Sequence, residues 1–219
     1  MTIAIGVSCR TGAALVTDSM TMRTTPDGQV EGYLSADHKI GQSSHLAFVH
    51  SGSAVEGATI DPGQQGFVEQ ARELYAAIIT ATPPGGHHLP VEAGSNPVEM
   101  ARLGEQDLIV AATEAGQPLR LAKLTRDGEE WAGPEGAIFI AGAPTIWAQE
   151  RGLSDGPVPE TPVGCADLAV SIAADFIAHA YGARTLEDFA VDGLIPPVAY
   201  PLHIMVITNA GVARFEYSL

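Results

Sequence analysis

The chain has 219 residues, 46% of them hydrophobic, and its 11 Lys+Arg against 26 Asp+Glu give a net charge of −15. This length and apolar content suffice for one sizeable core and predict one domain over residues 1–219. No basic run offers a surface for phosphates, which argues against nucleic acid as a partner.

The N-terminal segment predicts a hairpin of two buried strands. Ile3, Ile5 and Val7 alternate with small residues, a pattern typical of a strand that is covered on both faces. Gly12 lies in the turn that follows, and residues 13–17 form a short apolar strand. This strand ends at Asp18, so the hairpin brings the start of the chain next to that carboxylate.

The remaining elements follow from hydrophobic periodicity and turn residues. Further strands are predicted at residues 33–40, 45–50, 107–113, 118–124, 130–131, 137–141, 202–208 and 212–217. Helices are predicted at residues 66–82, 146–151 and 165–181, with a turn at 41–44 and a surface loop at 83–97. This order suits an α+β fold in which two sheets pack face to face with helices outside.

Several features argue against metals, disulfides and membranes. Cys9 and Cys165 supply neither a disulfide framework nor the spacing of zinc ligands. His87 and His88 lack a third ligand nearby and are interpreted as solvated loop residues. Because the sequence shows no secretion signal and no run of 18 apolar residues, we expect a cytoplasmic protein without a membrane partner.

Thr2 is the first candidate for chemistry. Methionine is normally removed before a small residue, which would leave Thr2 with a free α-amine. That amine can take the proton of the threonine hydroxyl, since an unperturbed α-amine titrates near pH 7.7 to 8.0. The ordinary alternative is a start methionine in front of a strand.

Short motifs follow Thr2 in a fixed order: Gly12, Thr17-Asp18-Ser19, His38-Lys39-Ile40 and Ser51-Gly52-Ser53-Ala54. In these motifs the chain resembles β-type subunits of the proteasome and their bacterial relatives, the HslV protease and the Anbu-type homologue. Each motif alone is weak, but the ordered set is fairly specific. The likeness is good over residues 1–60 and covers the rest in outline.

The resemblance implies roles for four residues. Thr2 is the nucleophile, Asp18 and Lys39 support it, and the Gly52 amide forms the oxyanion hole. A positive charge on Lys39 would lower the proton affinity of the Thr2 amine, and Asp18 would hold Lys39 ionised and oriented. The ordinary alternative is that Asp18 caps a strand and Lys39 is a surface charge.

The same alignment implies a pocket for the residue before the scissile bond, lined by Thr21, His50 and Ala54. An imidazole as the pocket floor favours polar or acidic substrate residues. The alternative is that His50 is a buried, hydrogen-bonded strand residue.

The resemblance further implies the four-layer αββα sandwich of the N-terminal nucleophile hydrolases. Peptides or unfolded proteins would be the substrates, and a homo-oligomeric ring would enclose the active sites. An ATPase unfoldase is a candidate partner, and the chemistry requires no cofactor.

Two positions depart from the family pattern. Ala143 stands where the family has a serine that bonds near the threonine amine, and it has no hydroxyl to do so. Asp192 lacks the serine that accompanies it in the family. Three functions are therefore open: a threonine-type peptidase, a catalytically silent proteasome-like protein that forms a ring or binds a partner, and a small-molecule amidase.

Overall fold

The structure is a computed structural model that describes residues 2–24, 30–34, 39–42, 46–51, 66–81, 107–112, 119–193, 196 and 198–219. Its strands are β1 (Ile3–Cys9), β2 (Gly12–Thr17), β3 (Met20–Thr24), β4 (Val30–Leu34), β5 (Ile40–Gln42), β6 (Leu46–Ser51), β7 (Asp107–Ala112), β8 (Arg120–Thr125), β9 (Gly128–Trp131), β10 (Ala137–Gly142), β11 (Leu202–Thr208) and β12 (Gly211–Tyr217). Its helices are α1 (Phe67–Ala81), α2 (Thr145–Glu150), α3 (Pro162–Tyr181) and α4 (Leu186–Val191), with a 3-10 turn at Leu153–Asp155.

Two antiparallel sheets of five strands organise the fold. The first has the order β10-β1-β2-β11-β12, and the second has the order β5-β6-β7-β8-β9. Strands β3 and β4 form a separate two-stranded sheet. The chain is therefore a mixed α/β protein, and β1 and β2 lie at the centre of the first sheet.

Three apolar clusters hold these elements together. One joins residues of both five-stranded sheets, including Leu15, Ile109 and Met205. A second lies between the first sheet and helices α2 and α3, and a third lies between the second sheet and α1. Burial of apolar surface stabilises such clusters by roughly 25 cal/mol per Å².

Strand β1 is buried along its whole length, which confirms that it is covered on both faces. Ile3, Ile5 and Val7 belong to the cluster under α3, while Ala4 belongs to the cluster between the sheets. A Cβ atom on Gly6 would lie 2.5 Å from Cγ2 of Ile109. The small residues of β1 therefore allow the two sheets to approach closely.

Helix α3 begins with Thr161 as its N-cap, whose hydroxyl accepts a hydrogen bond from the Gly164 backbone N–H at 3.1 Å. By length and by its mean hydropathy of 1.4, this helix could cross a membrane. Helices in the core of a folded domain are often equally long and apolar. Its buried stripe, which includes Ile172 and Phe176, packs in the cluster beneath the first sheet. This packing is the role that the structure gives to the helix.

The structure confirms most predicted elements within a few residues, but it corrects the region after β2. One continuous strand over residues 33–40 was wrong, because Leu34 ends β4, Lys39 lies in a turn and Ile40 begins β5. Strand β3 and helix α4 were not predicted. The predicted turn at 41–44 was also wrong at Gly41, which lies in β5; a Cβ there would lie 2.4 Å from the Phe48 ring. The absence of a side chain on Gly41 therefore makes room for the Phe48 ring, and the residue does not form a turn.

Candidate active site

The β1–β2 hairpin brings Thr2 and Asp18 to the same end of the first sheet. Ala4 pairs with Thr17, so the chain before Ala4 runs alongside the chain after Thr17. The backbone N–H of Ile3 donates to Oδ1 of Asp18 at 2.8 Å. Thr2 is 6% exposed and Asp18 is fully buried. The predicted spacing therefore does place the carboxylate beside the threonine.

The Asp18 carboxylate is held by three donors. Its Oδ1 atom accepts hydrogen bonds from the Ile3 N–H and from Nζ of Lys39 at 3.0 Å, and its Oδ2 atom accepts from the Met20 N–H at 3.0 Å. The backbone N–H groups of Ile3 and Met20, together with the Lys39 ammonium group, therefore fix the orientation of the Asp18 side chain.

Lys39 lies on a turn before β5 and extends its ammonium group into this buried site. Its Nζ atom donates to Oδ1 of Asp18, to the Asp18 backbone carbonyl at 3.4 Å and to the Met20 carbonyl. Burial lowers the pKa of Lys39, while the charge and hydrogen bond of Asp18 oppose that effect. The three acceptors match the three N–H donors of an ammonium group.

This arrangement refines the expected role of Lys39. The structure brings Lys39 to Asp18 and Met20, and among the described residues no hydrogen bond joins it to the Thr2 hydroxyl. The structure therefore brings Lys39 to the carboxylate of Asp18, and the same carboxylate accepts the N–H of Ile3, the residue that follows Thr2.

The end of β10 closes over Thr2. The Ala143 backbone N–H donates to the Thr2 carbonyl at 2.9 Å. Gly142 has φ +77, and a Cβ atom there would lie 2.1 Å from the Thr2 carbonyl oxygen and 2.9 Å from Cβ of Ser51. Only glycine fits this backbone conformation and this space. Ala143 has no side-chain hydroxyl, but its backbone N–H holds the Thr2 carbonyl.

Ser19 anchors the end of β2 to β11. Its hydroxyl donates to the Pro201 carbonyl and lies 2.8 Å from Nε2 of His203, and its backbone N–H donates to the Ala199 carbonyl at 3.0 Å. A hydroxyl has one proton, so Nε2 of His203 is the donor in their contact. These bonds fix the backbone beside Asp18.

Sequence reasoning missed two residues of this region, Gly142 and His203. Gly142 lies far from Thr2 along the chain, and the pairing of β10 with β1 brings the two together. His203 reaches Ser19 because β11 pairs with β2. No local sequence signal points to these contacts, since both depend on strand pairing over long separations. Ser51, from the predicted motif Ser51-Gly52-Ser53-Ala54, lies close to Gly142.

The predicted pocket residues are only partly described. Thr21 is buried on β3, and His50 is buried at the end of β6. The His50 backbone N–H donates to the Lys39 backbone carbonyl at 2.9 Å, so the backbones of these two residues lie side by side. Gly52 and Ala54 lie outside the described residues, as do His87 and His88.

The described ranges contain no group of three or more His, Cys, Asp or Glu residues that could hold a metal ion. The site that they do contain is a buried carboxylate and ammonium pair, fixed by backbone amides, next to the backbone of Thr2. Such a pair supplies an oriented positive charge in a region from which water is largely excluded.

The sequence matches no known family profile and no curated protein. Among solved structures, the fold is similar to Anbu (ancestral beta-subunit) from Yersinia bercovieri, with a TM-score of 0.56 and 14% sequence identity. The similarity covers 99% of this chain and 88% of that chain. At this level of identity the likeness concerns the fold alone, and it shows that the chain has a proteasome-like architecture.

Proposed function

We propose that the protein is a threonine-type hydrolase that cleaves peptide or amide bonds, with Thr2 as its N-terminal nucleophile after removal of Met1. One observation carries the proposal: the buried pair of Asp18 and Lys39 is bonded to the amide of Ile3, the residue that follows Thr2. A surface lysine and a strand-capping aspartate would not be sealed from solvent in this way. The proteasome-like fold supports the same assignment.

The reaction begins when the α-amine of Thr2 takes the proton of the Thr2 hydroxyl. The Oγ atom attacks the substrate carbonyl, and the Gly52 amide stabilises the oxyanion that forms. The amine returns the proton to the leaving amine of the substrate, and water then hydrolyses the ester on Oγ. Lys39 keeps the α-amine neutral by its positive charge, since a like charge disfavours protonation.

The proposal extends to architecture and assembly. The three apolar clusters support one domain built as a four-layer αββα sandwich, in the layer order α3, first sheet, second sheet, α1. Identical subunits would form a ring that encloses the active sites, with peptides or unfolded proteins as substrates and an ATPase unfoldase as a candidate partner. The expected location is the cytoplasm.

Intact-mass spectrometry of protein from its own host tests the assignment. We expect the mass of a chain that begins at Thr2, and a single adduct after treatment with an electrophile directed at N-terminal threonines. Thr2→Ala should give no adduct and no peptide hydrolysis, whereas Thr2→Ser keeps a hydroxyl nucleophile and should retain both. Retention of Met1, or an adduct of equal yield on Thr2→Ala, would contradict the hydrolase assignment.

A second candidate is a catalytically silent, proteasome-like ring protein. Two observations favour it: the bonds of Lys39 do not reach the Thr2 hydroxyl, and Ala143 has no side-chain donor. A comparison of adduct formation with assembly distinguishes the two candidate functions. A silent subunit would assemble without forming an adduct, and it would assemble equally well as Thr2→Ala.

A further inference from the structure

His203 on β11 lies between the candidate active site and the edge of the first sheet. In the strand register it pairs with Thr17, which directly precedes Asp18, and with Glu216 on the edge strand β12. Met205, two residues further along β11, belongs to the apolar cluster between the two sheets. Because side chains alternate along a strand, His203 lies on the face of the first sheet that is covered by the second sheet.

Each nitrogen of the His203 ring faces an oxygen atom. Nε2 lies 2.8 Å from the Ser19 hydroxyl, and Nδ1 lies 3.5 Å from Oε1 of Glu216. The single proton of the Ser19 hydroxyl is committed to the Pro201 carbonyl, which has no proton of its own. Nε2 therefore carries a proton and donates it to Ser19, whereas Nδ1 can donate to Glu216 only when the ring is fully protonated.

Ser19 lies between the two residues that hold the ammonium group of Lys39. The three acceptors of that group are the carboxylate and the carbonyl of Asp18 and the carbonyl of Met20. Ser19 is 1% exposed, and its backbone N–H donates to the Ala199 carbonyl. A shift of the Ser19 backbone would therefore move the peptide groups that hold Lys39.

We propose that His203 is a positioning residue of the candidate active site, whose Nε2–H group holds Ser19 so that Asp18 and Met20 present their oxygen atoms to Lys39. The ring bonds to Ser19 and faces Glu216, so its action on the reaction runs through Ser19. This role rests on the proposed function, because it concerns the placement of Lys39 in that reaction.

Loss of the Nε2–H group would leave the oxygen of the Ser19 hydroxyl without its donor. A buried polar group that loses its partner is strongly disfavoured, so the hydroxyl should turn away from its present position. Glu216 is 68% exposed, and a contact at such a site contributes little. The structure therefore assigns the positioning to the Nε2–H group and not to the charge on Glu216.

Kinetics of four variants test this role. His203→Phe keeps a planar ring but removes the donor, and we expect kcat to fall by about 10- to 100-fold with little change in KM. His203→Gln carries an amide N–H near the position of Nε2, so it should recover most of that loss. Glu216→Gln and the control His179→Gln, on the exposed side of α3, should keep the wild-type kcat.

Three outcomes of these assays would overturn the proposal. The first is a wild-type kcat in His203→Phe. The second is a loss in His203→Gln as large as that in His203→Phe, because the amide donor would then restore nothing. The third is an equal loss in Glu216→Gln, which would assign the effect to charge at the sheet edge.

NMR measurements test the same role without any substrate. In wild-type protein labelled with ¹⁵N, Nε2 of His203 should carry a proton, and an unprotonated Nε2 would overturn the proposal. The Met20 amide, which donates to Oδ2 of Asp18, should shift in His203→Phe and return in His203→Gln. A Met20 amide that is unchanged in His203→Phe would also contradict the role. If the wild type hydrolyses no peptide, the hydrolase assignment fails, and these spectra still decide whether His203 positions Ser19.

Discussion

The Asp18 carboxylate and the Lys39 ammonium group form an ion pair at 3.0 Å, with side-chain exposures of 0% and 6%. Taking two charges out of water is costly, and their attraction offsets that cost only with well-placed hydrogen bonds. Here backbone groups of Ile3, Asp18 and Met20 provide those bonds. The pair as a whole therefore adds little to the net stability. Removal of only one partner, however, would leave the other charge buried without compensation.

Removal of one partner should destabilise the protein strongly. Asp18→Asn leaves the buried Lys39 charge without compensation, and we expect the free energy of unfolding to fall by about 3–5 kcal/mol. The double variant Asp18→Asn with Lys39→Met should recover a large part of that loss. Urea unfolding of the two variants measures the difference.

The exposed pair of Arg72 and Glu129 provides a matched control for this experiment. Its Nε and Oε1 atoms are 2.7 Å apart, but the arginine side chain is 56% exposed. Exposed ion pairs contribute little, so Glu129→Gln should change stability far less than Asp18→Asn. Similar losses for both variants would show that burial of the Asp18 and Lys39 pair has no special effect.

Activity should depend on pH through two groups. The Thr2 amine acts as a base only when neutral, so kcat/KM should rise with pH through its pKa, ordinarily about 7.7 to 8.0. In the proposed mechanism Lys39 acts in its protonated form, and burial lowers its pKa. Activity should therefore fall again as pH rises through the pKa of Lys39, at a pH below the ordinary range for lysine.

Lys39→Met tests the alkaline limb of this profile. We expect kcat/KM to fall by about 10²–10³-fold, as when a group that stabilises an oxyanion is removed, and the alkaline limb to disappear. Lys123→Met is the control, because Lys123 is also partly buried and donates to the Ile140 carbonyl at 2.9 Å. An alkaline limb that persists unchanged in Lys39→Met would assign it to another group.

Gly142→Ala should disturb Thr2 directly. The new Cβ would collide with the Thr2 carbonyl oxygen and break its bond with the Ala143 N–H. Gly152→Ala is the matched control, since Gly152 also has a positive φ, +63, and a Cβ atom there would meet no other atom within 4 Å. We expect Gly152→Ala to cost about 1–2 kcal/mol for the left-handed backbone alone.

The collision at Gly142 should add about 2 kcal/mol or more to that cost, and it should remove hydrolysis of peptide substrates. Chemical unfolding and peptide assays on the two variants give both quantities. If both variants lose the same stability and Gly142→Ala keeps its activity, the close approach to Thr2 is not required.

His50 should influence substrate preference if its imidazole forms the pocket floor. A polar or acidic residue before the scissile bond could then bond to the ring, and His50→Ala should shift preference away from such residues. A panel of fluorogenic peptides measures the profile, with the exposed His179 on α3 as the histidine control. An unchanged profile in His50→Ala would remove His50 from the pocket.

Local patterns in the sequence predicted a large part of the fold. The alternation of Ile3, Ile5 and Val7 predicted β1 as a two-sided strand, and apolar spacing in residues 66–82 predicted α1. These predictions succeed because side-chain periodicity reports which face an element buries. The spacing of Thr2 and Asp18 likewise predicted their proximity, since a tight hairpin leaves few alternatives for residues at its open end.

The region after β2 shows where such patterns fail. Residues 20–24 and 30–34 pair as β3 and β4, although these two stretches carry few strand signals. Lys39 lies in a turn, and its ammonium group bonds to Asp18 and Met20, residues far from it in sequence. Local patterns carry no information about such tertiary partners.

The sequence by itself determined most of the elements, the hairpin that joins Thr2 to Asp18, and the candidacy of Lys39. Only the tertiary structure decided that all three N–H donors of Lys39 bond to Asp18 and Met20, and that Gly142 closes over Thr2. The physical reason is that periodicity encodes the face that each element buries, whereas the choice of partner arises from packing between elements far apart in the chain.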